Sequence, residues 1–317
     1  MKALLKSKDG FLYLLMLAFV LILTSVISMT QPQSPIYSFV SAKNERSFAP
    51  LPVLTDTSTF PVLSGEAALS VDLDSGVALY EKNPDSSLLP ASTTKIVTAL
   101  VAMDYYPLDA VLKVGRVTIT GQKMGLKAGE EMSVNDLLYG LLVYSGNDAA
   151  EVLAENYCAP RSSESEVESC GRGEFILAMN KKAESLSLTN TFFRNPTGLD
   201  GADQVTTARD LIRVSTVAMR NPKFGEIVGT KEKTVASVDG AVKHKLANIN
   251  ELVGVVPGVL GVKTGWTESA RENLVTYIER DGHKVMIALL GSQDRFGETK
   301  ELIDWIFTNY VWKEVRP

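Results

Sequence analysis

The amino-acid sequence predicts an α+β fold in which an antiparallel β-sheet is flanked by helices and carries a mostly helical insertion. Two alternating apolar runs meet at Asp74-Ser75-Gly76, which is typical of a β-hairpin. Helical periodicity fills the middle of the chain, and alternating strand patterns return after about Thr230. Strands at both ends with helices between them indicate one discontinuous sheet on which the helices pack.

The N-terminal residues 1–30 predict a membrane segment. Lys2, Lys6 and Lys8 precede the uncharged apolar stretch Phe11–Met29. At about 1.5 Å per residue this stretch is long enough to cross about 30 Å of hydrocarbon, and the lysines would stay inside. We expect residues 1–30 to anchor the chain in the cytoplasmic membrane, with the remainder on the extracytoplasmic side. A cleaved signal peptide ending near Ser28, which would make the protein secreted, is the alternative.

Residues 31–61 predict a linker, because five prolines are scattered among Ser, Thr and Gln with few regularly spaced apolar positions. Residues 62–317 are then the folded domain. Cys158 and Cys170 flank a polar, acidic insert whose spacing matches no zinc or redox signature. Outside the cytoplasm a disulfide between them is the natural interpretation, and two unpaired thiols in a surface loop are the alternative.

Composition excludes some classes of partner. The chain of 317 residues has a formal net charge of −5 and no Lys/Arg-rich run, so we expect no nucleic-acid partner. It contains two histidines and two cysteines, in no ligand-like cluster, so neither a metal nor another cofactor is expected. The oligomeric state does not follow from the sequence.

The remaining helices and strands are predicted from the spacing of apolar residues and from Gly and Pro residues at their ends. A helix begins near Ser92 and includes the apolar run Ile96–Met103, and a tight turn at Ser145-Gly146-Asn147 separates two further helices. Later segments predict helices over 174–188 and 206–219, strands over 233–238, 258–266, 273–279 and 283–291, and a last helix over Glu298–Val311.

Three short motifs carry candidate chemistry. Ser92 and Lys95 are three residues apart on a helix, so both side chains lie on one face and the lysine can take the hydroxyl proton. Taken alone, Ser92 is better explained as a helix N-cap. Ser145-Gly146-Asn147 and the strand motif Lys263-Thr264-Gly265 follow it in the chain. In that order and context the three motifs form the set typical of penicillin-binding proteins and class A β-lactamases.

The resemblance extends beyond these motifs. The segments "LLPASTTKIVTAL", "DLLYGLLVYSGNDAAEVLAE", "AMNKKAESLSLTNTFFRNPTGLD", "TTARDL" and "GVLGVKTGWTESA" are similar to those of serine-type D-alanyl-D-alanine carboxypeptidases, the low-molecular-mass penicillin-binding proteins. The similarity runs from about Ala67 to Phe307. It implies an active site in a cleft between the sheet and the helical region, peptidoglycan stem peptides as substrates, and β-lactam antibiotics as inhibitors.

The nucleophile and its base are predicted from chemistry as well. A neutral serine hydroxyl needs an adjacent base, and His244 and His283 lie among charges or in a turn, where we expect both to be solvated. Lys95 is the better base, because burial and a second cation, for which Lys263 is the candidate, would lower its pKa. Ser92 is therefore the predicted nucleophile, which forms an acyl-enzyme.

The resemblance implies roles for the other site residues. Ser145 would relay a proton to the leaving group, and Asn147 would contact the substrate amide. Lys263 and Thr264 would hold the terminal carboxylate of the donor, and Gly265 would let the substrate backbone lie along the strand edge. The oxyanion hole would be formed by the amides of Ser92 and Trp266.

Two departures and one further candidate concern the C-terminal part. Arg271 and Glu272 stand where relatives usually have Gly and an aromatic residue, so the strand after the Lys-Thr-Gly motif is expected to differ in shape. Arg295 falls where relatives carry an arginine that reaches toward that motif. The alternative for Arg295 is a surface arginine paired with Glu298.

Three other functions compete with a D,D-carboxypeptidase. A D,D-endopeptidase would cleave peptidoglycan crosslinks by the same acyl chemistry. A class A β-lactamase needs a water-activating Glu, usually in a Glu-x-x-Leu-Asn segment, and no such segment occurs here. A wall-binding protein without turnover would not need the intact nucleophile and lysines.

Overall fold

The computed structural model describes residues 16, 49–55, 59–116, 118–159 and 169–314. The predicted membrane segment, apart from Met16, and most of the predicted linker lie outside these residues. Within the described ranges, no helix combines the length and apolar character needed to cross a bilayer.

The described chain contains eleven strands and seven α-helices. The strands are β1 Leu51–Leu54, β2 Ala67–Asp72, β3 Ala78–Lys82, β4 Val111–Lys113, β5 Glu131–Ser133, β6 Glu232–Ala236, β7 Lys243–Ala247, β8 Val259–Thr267, β9 Arg271–Arg280, β10 His283–Ser292 and β11 Tyr310–Lys313. The helices are α1 Lys95–Tyr105, α2 Val134–Leu142, α3 Asn147–Glu155, α4 Arg172–Ser185, α5 Ala208–Met219, α6 Pro222–Val228 and α7 Arg295–Asn309. A 3-10 turn over Ala91–Thr94 leads into α1.

Five strands form the central antiparallel sheet in the order β3-β2-β10-β9-β8. The predicted N-terminal hairpin joins the sheet through β2, whose Ala68 lies opposite Leu289 of β10. The sheet thus unites strands from both ends of the sequence, and the helical insertion lies between them. The predicted α+β architecture is confirmed.

Each face of the sheet has its own core, because successive side chains of a strand point to opposite faces. In β10, Met286, Ala288 and Leu290 belong to the core shared with the helical insertion. The alternate residues Val285, Ile287 and Leu289 belong to a second core, which includes Ile303 and other residues of α7. The sheet is therefore covered on both faces, and its edge strand β8 is left at the boundary with the insertion.

Two segments differ from the sequence prediction. Leu51–Leu54, within the predicted linker, form β1 and pair with β11, Leu51 lying opposite Lys313. Pro52, which has no N–H to donate, is tolerated because the ribbon has only two strands. The last helix begins at Arg295 and ends at Asn309, and the chain then continues as β11.

Cys158 and Cys170 are joined by a disulfide with an S–S distance of 2.01 Å, as the sequence predicted. The bond connects the segment after α3 to the start of α4. Residues 160–168 of the insert lie outside the described residues.

Candidate active site

Ser92 lies inside the 3-10 turn that precedes α1, and Lys95 is the first residue of that helix. The turn is capped at Pro90, and no side-chain capping bond is made there, so the structure does not support the simple capping explanation. Instead, Lys95 Nζ lies 2.8 Å from Ser92 Oγ. The predicted nucleophile and base are therefore in direct contact.

Lys95 is completely buried and surrounded by three oxygens. Its Nζ donates to Asn147 Oδ1 at 2.8 Å and to the Thr197 carbonyl at 2.5 Å, and Ser92 Oγ is the third neighbour. Asn147 Oδ1 and the Thr197 carbonyl oxygen can only accept hydrogen bonds. A neutral amine, with two N–H groups and one lone pair, therefore satisfies both acceptors and directs its lone pair at the Ser92 hydroxyl.

Burial of the side chain favours that neutral form. Burial lowers the pKa of Lys95 to about 7, although the nearby Asp148 and Glu151 carboxylates act to raise it. A substantial fraction of neutral amine therefore exists near neutral pH, as a general base requires.

The Ser145-Gly146-Asn147 motif forms the break between α2 and α3. Ser145 has a positive φ of 62°, which an L-residue adopts at a cost, and Asn147 begins α3. The Asn147 side chain accepts from Lys95 and donates to the Thr120 carbonyl at 2.8 Å. This motif therefore joins the base to the loop that contains Thr120.

Lys263 points from β8 toward the same motif. Its Nζ donates to Ser145 Oγ at 2.8 Å and to the Thr264 carbonyl at 2.9 Å. Burial lowers its pKa well below the ordinary value for lysine, and the charges of Lys95 and Arg295 lower it further. Ser145 thus has a hydrogen-bonded amine beside its hydroxyl, which is the arrangement that a proton relay needs.

Gly265 packs against the nucleophile turn, a contact that the sequence did not reveal. A Cβ at this position would lie 3.1 Å from Ser92 N and 3.2 Å from the Pro90 carbonyl. The absence of a side chain lets β8 approach the turn that carries the nucleophile. The resemblance had linked this glycine to the substrate backbone instead.

Thr264 and Arg295 meet at the β8–α7 end of the cleft. Arg295 Nη1 donates to the Gly265 carbonyl at 3.1 Å, as expected for an arginine that reaches toward the Lys-Thr-Gly motif. Within the described chain, Thr264 Oγ1 and Arg295 Nε are buried without a hydrogen-bond partner. Burial lowers the pKa of Arg295, and the Glu272 and Glu251 carboxylates oppose this shift.

The proposed surface pair between Arg295 and Glu298 is wrong. Glu298 accepts from Ser292 Oγ at 2.6 Å and from the backbone N–H of Ser64, which lies just before β2. The predicted departure at Arg271 and Glu272 has a structural counterpart. Arg271 adopts a positive φ of 58°, and Glu272 accepts from the Arg295 backbone N–H at 2.9 Å.

These residues line one cleft of about 950 Å³ between β8 and the helical insertion. Ser92, Ser145, Asn147, Thr264 and Arg295 all line this cleft. Trp266 is 61% exposed at its rim. Because β8 is the edge strand of the central sheet, an extended peptide can pair with it as an added strand.

Sequence reasoning missed the Thr197 carbonyl, which fixes Lys95. It lies in the turn Asn195–Gly198, where Asn195 Oδ1 accepts from the Gly198 N–H at 2.7 Å. A Cβ on Gly198 would lie 1.8 Å from the Ala91 carbonyl, so this turn packs directly on the nucleophile segment. The Asn-Pro-x-Gly pattern predicts a turn, but it does not indicate which side chain a turn carbonyl will bind.

The expectation that His244 is solvated is wrong. It lies on β7 and is buried, with its ring nitrogens 3.2 Å from the Met124 carbonyl and 3.0 Å from Glu130 Oε2. Side chains of β7 are alternately exposed and buried, and His244 is a buried residue between two exposed lysines. His283 is half-buried and stacks on Trp312 with ring centroids 4.1 Å apart.

Comparison with known proteins places this geometry in context. Residues 55–294 match the family model described as D-alanyl-D-alanine carboxypeptidase. The D-alanyl-D-alanine carboxypeptidase DacF of Bacillus subtilis is 31% identical over 255 residues, which cover 77% of this chain and 62% of that protein. The carboxypeptidase DacB2 of Mycobacterium tuberculosis is 33% identical over 259 residues, covering 78% of this chain and 84% of that protein.

Two further matches bear on activity and fold. The D-alanyl-D-alanine endopeptidase of Pseudomonas aeruginosa is 33% identical over 258 residues, covering 78% of this chain and 79% of that protein. The crystal structure of the Streptomyces K15 DD-transpeptidase superposes with a TM-score of 0.72 at 29% identity, covering 79% of this chain and 99% of its own. The chain therefore spans less than two thirds of the Bacillus relative but nearly all of the Streptomyces enzyme structure.

Proposed function

The chain belongs to the D-alanyl-D-alanine carboxypeptidase family of serine peptidases, and from that premise we propose that it removes the terminal D-alanine from peptidoglycan stem peptides through an acyl-enzyme on Ser92. β-Lactam antibiotics, which acylate the same kind of serine, are then its inhibitors. The contact between Ser92 and a buried lysine with a lowered pKa supports this chemistry.

Acylation begins when neutral Lys95 takes the Ser92 proton and Ser92 Oγ attacks the carbonyl carbon of the penultimate D-alanine. The amides of Ser92 and Trp266 receive the developing oxyanion. This role is supported by the close approach of position 265 to Ser92 N. Asn147 holds the base on one side and contacts the substrate amide on the other.

Collapse of the tetrahedral intermediate breaks the C–N bond. Ser145, hydrogen-bonded to Lys263, delivers its hydroxyl proton to the departing amine. The proton that Lys95 took from Ser92 then replaces it on Ser145, so Ser145 is restored and Lys95 is neutral again. D-Alanine leaves, and water then attacks the ester with Lys95 again as the base, which returns free Ser92. Two of the pairs that exchange protons are already in contact, since Lys95 Nζ lies 2.8 Å from Ser92 Oγ and Lys263 Nζ lies 2.8 Å from Ser145 Oγ.

The observation that carries a carboxypeptidase assignment is the pair of unsatisfied donors at the β8–α7 end. Thr264 Oγ1 and Arg295 Nε are buried, and neither has a partner in the described chain. A buried donor without an acceptor is costly, so a site of this kind is completed by its ligand. The α-carboxylate of a terminal D-alanine supplies two acceptor oxygens and a negative charge.

The test is mass spectrometry of the products formed by residues 31–317 from a pentapeptide that ends in D-Ala-D-Ala. Release of D-alanine by the wild type and its loss in Ser92→Ala is the expected result. A labelled penicillin should likewise attach to the wild type and not to Ser92→Ala. Labelling that survives this substitution would refute the assignment of the nucleophile.

A D,D-endopeptidase is the second candidate, because a relative at 33% identity bears that name. The same experiment with crosslinked dimers as substrates separates the two. Dimer cleavage as fast as pentapeptide cleavage would favour the endopeptidase. A rate at least tenfold lower on dimers is expected for the carboxypeptidase.

We further propose that residues 1–30 remain attached and hold the catalytic domain at the outer face of the cytoplasmic membrane. The uncharged stretch Phe11–Met29 after three lysines supports this anchor. N-terminal sequencing of the protein from membranes should find a chain that still contains Met29. A chain that begins directly after Ser28 would instead show a cleaved signal peptide.

A further inference from the structure

One wall of the cleft is a segment without regular secondary structure. We call residues 118–130, between β4 and β5, the cleft-wall loop. Its residues Thr120, Gly121 and Gln122 line the cleft. Since the loop has no ladder or helix of its own, other parts of the molecule must satisfy its backbone groups and fix its position.

Asp148 satisfies three of these backbone groups. Its Oδ1 accepts from the Met124 N–H at 2.9 Å, and its Oδ2 accepts from Gly125 at 2.8 Å and Leu126 at 3.0 Å. The side chain is buried, with 2% of its surface exposed. Hydrogen bonds from backbone N–H groups to a buried carboxylate are among the stronger ones in proteins.

The preceding residue makes the complementary contacts. Asn147 donates from its backbone N–H to the Gln122 carbonyl at 2.8 Å and from Nδ2 to the Thr120 carbonyl at 2.8 Å. Gly121, with a φ of +77°, leaves room for this approach, since a Cβ there would lie 2.8 Å from Asn147 Nδ2. Two consecutive residues of α3 therefore bind the loop, one as donor and one as acceptor.

We infer that Asp148 is a positioning residue, which holds the cleft-wall loop against Asn147 and so keeps the Asn147 amide on Lys95 and on the bound peptide. This inference rests on the proposed function, because it assigns Asp148 a part in the same site. The mechanism itself does not use Asp148, whose carboxylate contacts no reacting atom.

Asp148 also contributes charge to the site. The charged groups that act on the pKa of Lys95 are Asp148 and Glu151 on α3, and Lys263 on β8 is the neighbouring group whose own pKa Lys95 lowers. The two carboxylates raise the pKa of Lys95, in opposition to burial, which lowers it to about 7. Removal of either negative charge therefore lowers that pKa further and moves the acid limb of the acylation rate to lower pH.

Three variants distinguish the hydrogen bonds that hold the cleft-wall loop from the negative charge that acts on Lys95. Asp148→Asn loses the charge and presents an NH2 group where an oxygen had accepted from backbone N–H groups. Asp148→Glu keeps the charge but displaces the acceptor oxygens. Glu151→Gln is the matched control, because Glu151 lies on the same helix, acts on Lys95 and pairs with Arg172 rather than with the loop.

Peptide and penicillin kinetics as a function of pH, together with hydrogen exchange by mass spectrometry, test the inference. Asp148→Asn should raise KM about 10- to 100-fold and shift the acid limb to lower pH. Asp148→Glu should raise KM without that shift. Glu151→Gln should shift the limb with KM close to wild type. Exchange at amides 124–126 should accelerate in both Asp148 variants and not in Glu151→Gln.

Wild-type exchange at these amides in a folded Asp148→Glu variant would overturn the inference, as would equal kinetic effects of Asp148→Asn and Glu151→Gln. If Asp148→Asn does not fold, Asp148→Glu still decides the matter. Should the wild type cleave no peptide and bind no penicillin, the proposed function fails. The exchange data would then still show whether Asp148 holds the loop.

Discussion

The two ends of the cleft differ in how completely their polar groups are paired. At the Ser92–Lys95 end, the lysine nitrogen already has three oxygen neighbours within 2.8 Å. At the β8–α7 end, Thr264 Oγ1 and Arg295 Nε are buried without a partner in the described chain. The first end is organised by the protein alone, and under the proposed function the second is completed by the substrate carboxylate. Residues of the first should therefore control the rate of acylation, and residues of the second should control recognition of the charged end.

The strongest test of the organised end is Lys95→Arg. A guanidinium keeps the positive charge and the hydrogen-bonding capacity but does not deprotonate at any useful pH, so it cannot act as the base. We expect the acylation rate by a labelled penicillin to fall about 10²- to 10⁴-fold, the usual contribution of a general base. Stopped-flow or quenched labelling measures the effect.

The control for this prediction is Lys113→Arg, on the exposed part of β4, which should acylate at the wild-type rate. Circular dichroism establishes that both variants are folded. Near-normal acylation in a folded Lys95→Arg variant would show that Lys95 is not the base. The Ser92–Lys95 end would then not control the acylation rate as expected.

The corresponding test of the β8–α7 end is Arg295→Ala. Loss of a charged hydrogen bond of about 1.5–3 kcal/mol corresponds to a decrease of about 10- to 150-fold in kcat/KM for D-alanine release. Penicillin labelling should weaken in parallel, because a penicillin also presents a carboxylate. Arg209→Ala is the matched control, since that arginine pairs with Asp85 and Glu81 on the surface.

If Arg295 recognises the terminal carboxylate, wild type and Arg295→Ala should have similar kcat/KM values on a peptide whose C-terminal carboxylate is amidated. An equal loss on the free and amidated peptides would instead mean that Arg295 acts through the Gly265 carbonyl, to which it is bound. That result would assign the β8–α7 end a structural role.

The two ends also predict different pH dependence. Burial lowers the pKa of Lys95 to about 7, and the base is active only when neutral, so acylation should rise with pH through about 7. Below that value the rate should fall about tenfold per pH unit. The guanidinium of Arg295 stays charged throughout, so recognition at that end should be flat over the same range. A penicillin acylation rate that is constant from pH 5 to 8 would contradict Lys95 as the base.

The sequence predicted the organised end well, because its chemistry depends on short motifs. The spacing of Ser92 and Lys95 along one helix is a local property, and the order of the three motifs indicates which distant segments must meet. The contact between Lys95 and the Thr197 carbonyl was not predictable, since every residue has a carbonyl and only the folded turn selects one. The cleft-wall loop was missed for the same reason.

Errors in the fold arose where local composition and tertiary pairing disagree. Leu51–Leu54 follow Pro50, contain Pro52 and resemble a linker, yet they gain a partner in β11, which lies far along the chain. His244 stands between two lysines and resembles a surface residue, yet strand alternation turns it inward onto Glu130. In both cases the deciding neighbour is remote in sequence, so a local pattern could not reveal it.

Gly265 contacts both ends of the cleft, since it packs near Ser92 N and its carbonyl accepts from Arg295. Gly265→Ala has the smallest expected effect. It tests whether the two ends act independently. The new Cβ would lie 3.1 Å from both Ser92 N and Ala91 Cβ, so the nucleophile turn or β8 must shift by a few tenths of an ångström. We expect a loss of about 1 kcal/mol in stability, typical of mild overpacking. Gly201→Ala, whose Cβ would lie 3.6 Å from its nearest neighbour, is the control for the substitution itself.

The informative quantity for Gly265→Ala is the ratio of its kinetic effect to its effect on stability. If Ser92 N belongs to the oxyanion hole, a shift of this size should slow acylation about tenfold, because hydrogen bonds to the oxyanion depend steeply on position. Binding of the peptide carboxylate, measured as KM, should change less, since Thr264 and Arg295 are not displaced by the new methyl group. A rise in KM with an unchanged acylation rate would show that the shift is taken up by β8. The glycine would then serve the recognition end rather than the nucleophile.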